Sequence, residues 1–352
     1  MFELCCSSIS GGNFISQIAS LTFMLEVRFK SKIIKKEHLD LYLGASGGSL
    51  ANILVTFFYE NKESVERILY ILNSGMFVQN WWKGYGSTIN STITSIFEDS
   101  IYETGKGAKE SLRKIIPRDH FKTSPENWFL TYNNDKNIPE IHCTMNNDKT
   151  IFNDIEDVNK KFLNYDLSEI VDTAMASASI PGLKNSIKLK EENHIDGGIS
   201  SPTPFCFFSE NLYEKSVKGD ITSPYHYYYF LPHNLTVDNT NSKIWLNDIF
   251  SGIKKMIVYN IIKDLSYSFE NWLRLINKKK SDIYSLKYKK INKLELLKIL
   301  EDNHEFDYFI KFFTDRNTIN IVDFTEKELK ESFDNCYNSV FIEIFINKNG
   351  AN

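Results

Sequence analysis

Ser46 lies in a run of small residues that could present a nucleophilic hydroxyl at the start of a helix. The run Gly44-Ala45-Ser46-Gly47-Gly48 fits the pattern G-x-S-x-G. Small neighbours allow the backbone to make a strained turn that lifts the hydroxyl clear of a sheet, and the helix that follows points its positive end toward it. We therefore interpret Ser46 as a candidate nucleophile for acyl transfer, with Gly44 and Gly48 forming its elbow. A structural turn is the alternative.

The pair Gly11-Gly12 could supply backbone N–H donors to the oxygen that becomes negative when an ester carbonyl is attacked. Asn13 follows the pair and is a third candidate donor, because a backbone N–H requires no particular side chain. The alternative is a phosphate-binding loop of the dinucleotide-binding type. That loop requires G-x-G-x-x-G, and the run from Gly11 to Ser16 does not fit it.

Asp196, followed by Gly197 and Gly198, is the candidate general base. A carboxylate beside two glycines can approach a second backbone closely. An aspartate is intrinsically acidic, so this role requires partial burial and direct contact with the serine. The alternative is a simple Asp-Gly turn. His194 lies two residues earlier on the same strand face by alternation, and we interpret it as a packed or solvated residue.

A histidine could be the base instead. In α/β-hydrolase triads the chain order is serine, acidic residue, histidine, and several histidines follow Ser46 and Asp196 in this chain. The three candidates are His226, His233 and His304. We disfavour this triad because those folds place several strands before the nucleophile, whereas at most two candidate strands precede Ser46.

The histidines and acidic residues show neither HExxH nor clustered ligand spacing. We therefore expect no metal and no other cofactor, and chemistry that does not depend on calcium.

Periodic patterns around the glycine runs predict the elements that position these residues. An extended segment over 2–9 precedes Gly11, and a helical pattern follows it to about residue 29; a strand over 39–43 precedes Ser46, and helical spacing returns after it. Two such units imply a parallel sheet with ligand-binding loops at the carboxyl ends of its strands. The remaining patterns predict strands over 140–143, 151–152 and 227–231, helices over 166–178 and 244–277, and a helix over 326–345 that could share its length with a strand.

Four segments, in this order, resemble the signatures of patatin-like phospholipases. They are Ser10-Gly11-Gly12, Gly44-Ala45-Ser46-Gly47-Gly48, Ala174-Met175-Ala176-Ser177-Ala178-Ser179-Ile180-Pro181-Gly182 and Asp196-Gly197-Gly198. The resemblance covers about residues 6–204. It implies a three-layer α/β/α fold and a Ser-Asp dyad without histidine, with Ser46 as nucleophile and Asp196 as base. The implied activity is lipid acyl hydrolysis of the phospholipase A type, acting on a phospholipid or another acyl-ester lipid.

The glycine loop departs from the family pattern, which is usually G-G-G-x-R/K-G. Either Ser10 or Asn13 stands where a glycine is expected, and Phe14 or Ile15 replaces the basic residue. Whichever of Ser10 and Asn13 replaces the glycine, the backbone N–H donors remain. The absence of the family's basic residue would affect catalytic efficiency or the preference for anionic head groups. A catalytically weak fold that serves as a membrane- or protein-binding module is therefore the alternative function.

Composition excludes several other classes of protein. The 352 residues include 41 Lys+Arg and 45 Asp+Glu, for a net charge of −4, and 42% are hydrophobic. A dedicated nucleic-acid binder would need a basic excess, so we expect no nucleic-acid partner. Five cysteines without CxxC spacing predict buried thiols in a reducing compartment. Because no basic leader and no membrane-spanning apolar stretch is recognisable, we expect an intracellular protein.

We expect a catalytic domain over 1–235 with a helical insertion at about 62–130, and a mostly helical extension over 236–352. Within the extension, residues 277–298 hold eight lysines and two acidic residues. This stretch could meet an anionic bilayer, which would make the protein a peripheral membrane protein. We favour the alternative, a solvated helix face.

Overall fold

The computed structural model describes residues 2–7, 14–31, 41–59, 126–144, 160–163, 167–181, 185–201, 225–231, 245–313 and 326–347, together with Lys109, Leu112, Arg113 and Ile116. Within these residues, no helix combines the length and the apolar character needed to cross a bilayer.

Eleven strands and six helices make up the described part of the chain. The helices are α1 (Phe14–Lys30), α2 (Gly47–Tyr59), α3 (Leu167–Ser177), α4 (Trp245–Leu275), α5 (Lys293–Asp302) and α6 (Glu326–Asn338). The strands up to the middle of the chain are β1 (Phe2–Ser7), β2 (Leu41–Ala45), β3 (Glu126–Asn133), β4 (Ile138–Thr144) and β5 (Lys160–Leu163). The later strands are β6 (Ile187–Leu189), β7 (Glu192–Asp196), β8 (Tyr225–Phe230), β9 (Tyr284–Asn292), β10 (Tyr308–Phe313) and β11 (Ser339–Ile346).

One sheet joins all eleven strands. Its main order is β5-β4-β3-β2-β1-β8-β10-β11-β9, and β7 pairs with both β3 and β6. The central strands β3, β2, β1, β8 and β10 run parallel to one another, whereas β4 and β11 run antiparallel to the strands at either end of this group. Because parallel strands end at the same edge of a sheet, the chain leaves β1 and β2 on one side of the molecule. The two strand-loop-helix units predicted from the sequence are therefore confirmed.

Helices cover both faces of the sheet. Alternation along β8 sends Tyr228 and Phe230 into a core shared with α1, α2 and α3, while Tyr227 and Tyr229 enter a second core formed with α4. Strands buried on both faces are expected in a parallel sheet. The chain has the α/β fold that the sequence predicts, with helices on both faces of a central sheet.

The part of the chain after residue 235 contributes strands as well as helices. β10 pairs in parallel with β8, β11 pairs with β10, and β9 pairs with β11. The helices α4, α5 and α6 also belong to this part, but the prediction of a mostly helical extension missed β9 and β10. β11 begins inside the predicted helix over 326–345 that could share its length with a strand. β10 is apolar at five of its six positions and shows no alternation. β9 alternates from Tyr284 to Lys289, but we interpreted its lysines as part of a solvated helix face.

Two further sequence interpretations need correction. The predicted helical insertion over 62–130 cannot extend to its stated end, because β3 begins at Glu126; most of that range, and the predicted strand over 151–152, lie outside the described residues. The basic stretch over 277–298 is not one helix face. It contains a short 3₁₀ turn, the whole of β9 and the start of α5. β9 lies at the end of the row of strands, and lysines are frequent on such edges because they discourage pairing with another chain.

Candidate active site

The ends of β2 and β7 meet beside β3. β4 pairs with one edge of β3 along its length, so β2 and β7 must both use the opposite edge. Ala45, the last residue of β2, pairs with Leu130, and Asp196, the last residue of β7, pairs with Thr131. Since β2 and β7 run in opposite directions, their carboxyl ends face each other across two consecutive residues of β3. This register brings Ser46 next to Asp196.

Ser46 occupies a strained turn between β2 and α2. Its φ is 55°, a left-handed conformation that costs a residue with a Cβ roughly 1–3 kcal/mol. Gly44 has no room for a side chain, because an added Cβ would lie 2.7 Å from the Ser49 Cα. The helix α2 starts with Gly47 and Gly48. The backbone therefore makes a strained turn between a strand and a helix at Ser46.

The Ser46 hydroxyl donates a hydrogen bond to the Asp196 carboxylate, with 2.6 Å between Oγ and Oδ2. Both residues are only 1% exposed. The other carboxylate oxygen, Oδ1, accepts a hydrogen bond from the Gly198 backbone N–H at 2.7 Å. Gly197 packs directly on β3, since an added Cβ would lie 2.1 Å from the Leu130 carbonyl oxygen. The two glycines after Asp196 thus allow the close approach and hold the carboxylate toward Ser46.

Ser177 links the elbow to the sheet, although the sequence assigned it no role. Its hydroxyl accepts a hydrogen bond from the Ser46 backbone N–H at 3.1 Å and donates one to the Leu130 carbonyl oxygen at 2.6 Å. Ser49 Oγ lies 2.8 Å from the same hydroxyl. Two residues further on, the Ser179 carbonyl oxygen accepts a hydrogen bond from the Asp196 backbone N–H at 3.0 Å. The small residues of α3 and the turn after it therefore position both members of the pair.

The candidate oxyanion donors Gly11, Gly12 and Asn13 lie outside the described residues. The elements on either side of them are described. β1 ends at Ser7, which pairs with Gly44 of β2, and α1 begins at Phe14. The chain therefore leaves β1 at the edge of the sheet where Ser46 lies.

The histidines of the alternative triad have other contacts. His226 stacks on Tyr308 with ring centroids 3.7 Å apart, and its Nε2 lies 3.1 Å from the Phe306 carbonyl oxygen. His304 Nδ1 lies 3.0 Å from the Glu301 carbonyl oxygen. His233 lies outside the described residues. His194 is buried and contacts Thr131, with 3.0 Å between Nδ1 and Oγ1, which agrees with its interpretation as a packed residue.

Comparison with known proteins identifies the family of the chain. A search of curated proteins gives no match. A family model described as patatin-like phospholipase matches residues 8–207, a range that includes the glycine loop, the Ser46 elbow, Ser177 and Asp196. Because this match spans more than half of the 352 residues, the chain belongs to the patatin-like phospholipase family.

Proposed function

We propose that the protein is a lipid acyl hydrolase that cleaves carboxylic esters through Ser46 and Asp196. Family membership supports lipid hydrolysis in general. The observation that carries the specific mechanism is the 2.6 Å hydrogen bond from Ser46 Oγ to Asp196 Oδ2, because a general base must lie within hydrogen-bonding reach of the proton that it takes. The strained elbow supports the same assignment, since strain of this kind clusters at catalytic residues.

In the proposed first step, Asp196 accepts the hydroxyl proton while Ser46 Oγ attacks the ester carbonyl carbon. The bond to the alcohol leaving group breaks, the proton passes to that group, and the acyl chain stays on Ser46. In the second step Asp196 takes a proton from water while the water oxygen attacks the acyl carbon. The bond from that carbon to Ser46 Oγ breaks, the proton passes from Asp196 to Ser46 Oγ, and the fatty acid leaves. Neither step calls for a Lewis acid, so we expect hydrolysis in calcium-free buffer.

The backbone amides of Gly11, Gly12 and Asn13 are the proposed oxyanion donors. The Ser46 backbone N–H donates to Ser177 Oγ, so the negative oxygen has to find donors elsewhere. Residues 8–13 lie in the chain between the strand that pairs with β2 and the start of α1, which supports this choice of donors. One such donor contributes about 3–4 kcal/mol in comparable sites.

The experiment compares wild type with Ser46→Ala and Asp196→Asn, using a fluorogenic acyl ester and phospholipid vesicles. We expect Ser46→Ala to lose activity and to lose labelling by a fluorophosphonate probe. Asp196→Asn keeps a polar side chain that cannot accept the proton as a carboxylate does, so we expect kcat to fall by about 100-fold or more. The matched control is Ser266→Ala, because Ser266 is exposed on α4 and bonds only to the backbone of its own helix at Ile262.

Two results would contradict the mechanism. Full activity in Ser46→Ala would remove the nucleophile. A folded wild type that neither hydrolyses esters nor reacts with the probe would favour the binding-module alternative, in which the fold recognises lipid or protein without turnover.

We also propose that the protein meets its lipid at an anionic bilayer surface, through the lysines within 277–298. The exposed lysines of this stretch include Lys279, Lys280, Lys290 and Lys298. Each lysine near an anionic surface contributes about 1 kcal/mol to binding.

A further inference from the structure

We propose that Glu140, His142 and His194 form a binding site for a first-row divalent metal ion of the Zn²⁺ type. All three side chains are buried, with at most 3% of their surface exposed. One ligand atom from each residue lies within 4.8 Å of the others, and within the described part of the chain these residues form the one such group of three or more. The proposed hydrolysis does not use them.

The sheet register explains why residues from two strands, β4 and β7, meet. Glu140 pairs with Thr131 across β3 and β4, and His194 pairs with Asn133 across β3 and β7. Residues that pair directly, and residues two apart on one strand, face the same side of a sheet. His142, two residues after Glu140, therefore points to the same face as Glu140 and His194.

The separations of the ligand atoms fit a shared cation better than direct hydrogen bonds. Glu140 Oε2 lies 3.7 Å from His194 Nε2 and 3.9 Å from His142 Nε2, both longer than a hydrogen bond. Two ligands bound at about 2.1 Å to one metal ion are about 3.4–3.6 Å apart at angles of 110–120°. A metal ion between them would need the side chains to close by only a few tenths of an ångström.

Neighbouring polar groups hold the ligands in suitable orientations. Thr131 Oγ1 lies 3.0 Å from His194 Nδ1, which directs Nε2 of that ring toward Glu140. Asn133 Nδ2 donates to Glu140 Oε1 at 3.0 Å, which directs Oε2 toward the histidines. His142 Nε2 lies 2.9 Å from Thr131 Oγ1 and would exchange this contact for the metal. Such outer partners typically fix the tautomer and orientation of metal-binding histidines.

Glu192 gives the cluster a connection to solvent. Its side chain is 27% exposed, its Oε2 lies 4.0 Å from His194 Nε2, and it also forms an ion pair with Lys136. Tetrahedral metal sites take four ligands, and the fourth would be a water molecule or Glu192, whose Oε2 accepts a hydrogen bond from Asn133 Nδ2 at 2.6 Å and would have to leave it. Two imidazoles with carboxylates favour Zn²⁺ and its first-row neighbours over Mg²⁺ and Ca²⁺, which prefer oxygen ligands throughout.

The metal would have a structural role close to the candidate active site. It would join β4 and β7 across β3, at the level where Thr131 pairs with Asp196. We therefore expect metal binding to stabilise the strand that presents the candidate base, without taking part in the chemistry.

The test uses untagged, full-length, metal-free protein titrated with Zn²⁺ and with Co²⁺. We expect one ion per chain, a rise in melting temperature with Zn²⁺, and the visible absorption of four-coordinate Co²⁺ with nitrogen and oxygen ligands, without thiolate bands. His142→Gln and His194→Gln should weaken Zn²⁺ binding by at least about 100-fold, since even outer partners change affinity by 10- to 100-fold. The control His304→Gln changes a part-exposed histidine outside the cluster.

Failure of wild type to bind Zn²⁺ or Co²⁺ saturably would overturn the proposal, whatever the variants do. Binding that persists unchanged in folded His142→Gln and His194→Gln would place the ion elsewhere and would also overturn it. If both variants fail to fold, the isosteric Glu140→Gln decides: weaker binding supports the site, and unchanged Zn²⁺ affinity with an unchanged Co²⁺ spectrum contradicts it. None of these measurements depends on ester hydrolysis, so the outcome is independent of the proposed function.

Discussion

At the scale of single residues, Ser46 and Asp196 are held by neighbouring groups that transfer no proton in the proposed mechanism. Ser177 joins the elbow to β3 through two hydrogen bonds, and the Gly198 N–H holds the carboxylate. The strain at Ser46 persists only while such contacts outweigh it. The geometry of the pair is therefore a property of its surroundings as much as of the two residues.

Ser177→Ala tests this dependence. The change leaves the buried Ser46 N–H and Leu130 carbonyl without the partner described above, which costs about 1–3 kcal/mol of unfolding free energy. It should also lower kcat by about tenfold or more, because the elbow loses a support. The measurements are denaturant unfolding and ester hydrolysis, with Ser266→Ala as the control. Unchanged kcat in a folded Ser177→Ala protein would show that the elbow holds its shape without this serine.

At the scale of secondary-structure elements, the edge formed by β9, β11 and β10 combines buried and exposed lysines. On β10, Lys311 Nζ lies 3.2 Å from Glu343 Oε2 and 4.8 Å from the centre of the Phe345 ring. Burial lowers the pKa of Lys311 below its ordinary value of 10.5, and Glu343 opposes this shift only in part. The charged form of Lys311 is therefore less favourable in the folded protein than in the unfolded chain.

Lys311→Met should accordingly stabilise the protein near neutral pH, by about 0.5–1 kcal/mol. Lys287, at 3.1 Å, remains as a partner of Glu343. Because the pKa of Lys311 is lower in the folded protein than in the unfolded chain, the wild type gains stability as pH rises through the folded pKa. The difference in unfolding free energy between the variant and the wild type should therefore shrink toward pH 10.5. Urea unfolding at several pH values measures the gap, with the exposed Lys290→Met as the control. A variant less stable than wild type at every pH would show that the ion pair outweighs the burial cost.

The proposed bilayer contact also belongs to this scale. Replacing Lys279, Lys280, Lys290 and Lys298 by Gln should weaken binding to phosphatidylserine-containing vesicles by about fivefold per lysine. Co-sedimentation measures the binding, and added salt should reduce it in the wild type. The matched control replaces Lys327 and Lys330, which are exposed on α6. Equal losses per lysine in the two variants would indicate a general charge effect instead of a docking surface.

Local patterns were sufficient to predict some elements and insufficient for others. The units β1-α1 and β2-α2 follow from apolar spacing within single segments, and the boundary between α6 and β11 falls inside the predicted helix that could share its length with a strand. β3 was missed because it lay within a range assigned to a helical insertion. β10 was missed because it is apolar at almost every position and shows no alternation. The alternation of β9 from Tyr284 to Lys289 was overlooked because its lysines were interpreted as a solvated helix face.

The candidate site could also be predicted only in part from local sequence patterns. The residue types and order of Ser46 and Asp196 were predicted, but their contact depends on the register of β2 and β7 on β3, which no local pattern contains. Thr131 and Ser177 were overlooked for the same reason. The run from Ala174 to Gly182 was recognised as a signature, and its density of small residues was the one available signal for Ser177.

At the scale of the whole molecule, the two halves of the chain share one sheet and one set of helices. β8 lies between β1 from the amino-terminal part and β10 from the carboxyl-terminal part. On one face, Glu26 of α1 bonds to Lys293 at 2.6 Å and to Tyr337 at 2.7 Å. These contacts indicate that residues 236–352 complete the core.

A chain that ends at residue 235 should therefore fail to fold into a stable monomer. Removing residues 236–352 would expose the edge of β8 that pairs with β10. It would also remove Phe309, which stacks on Tyr229 with ring centroids 4.9 Å apart. The full-length protein should melt in one cooperative transition. Calorimetry and size-exclusion chromatography provide the measurements. A soluble, cooperatively melting fragment 1–235 would establish two independent domains instead.

The pairing of β2 and β7 with the same edge of β3 has a consequence for how far the sequence of this protein can change. The distance between Ser46 and Asp196 is fixed by main-chain pairing to Leu130 and Thr131, and main-chain pairing places few demands on side-chain identity. A chain of this kind can exchange most of its residues and keep Ser46 Oγ close to Asp196 Oδ2, provided that no insertion shifts β3 by one position. Single-residue deletions within β3 should therefore harm the site far more than most substitutions there.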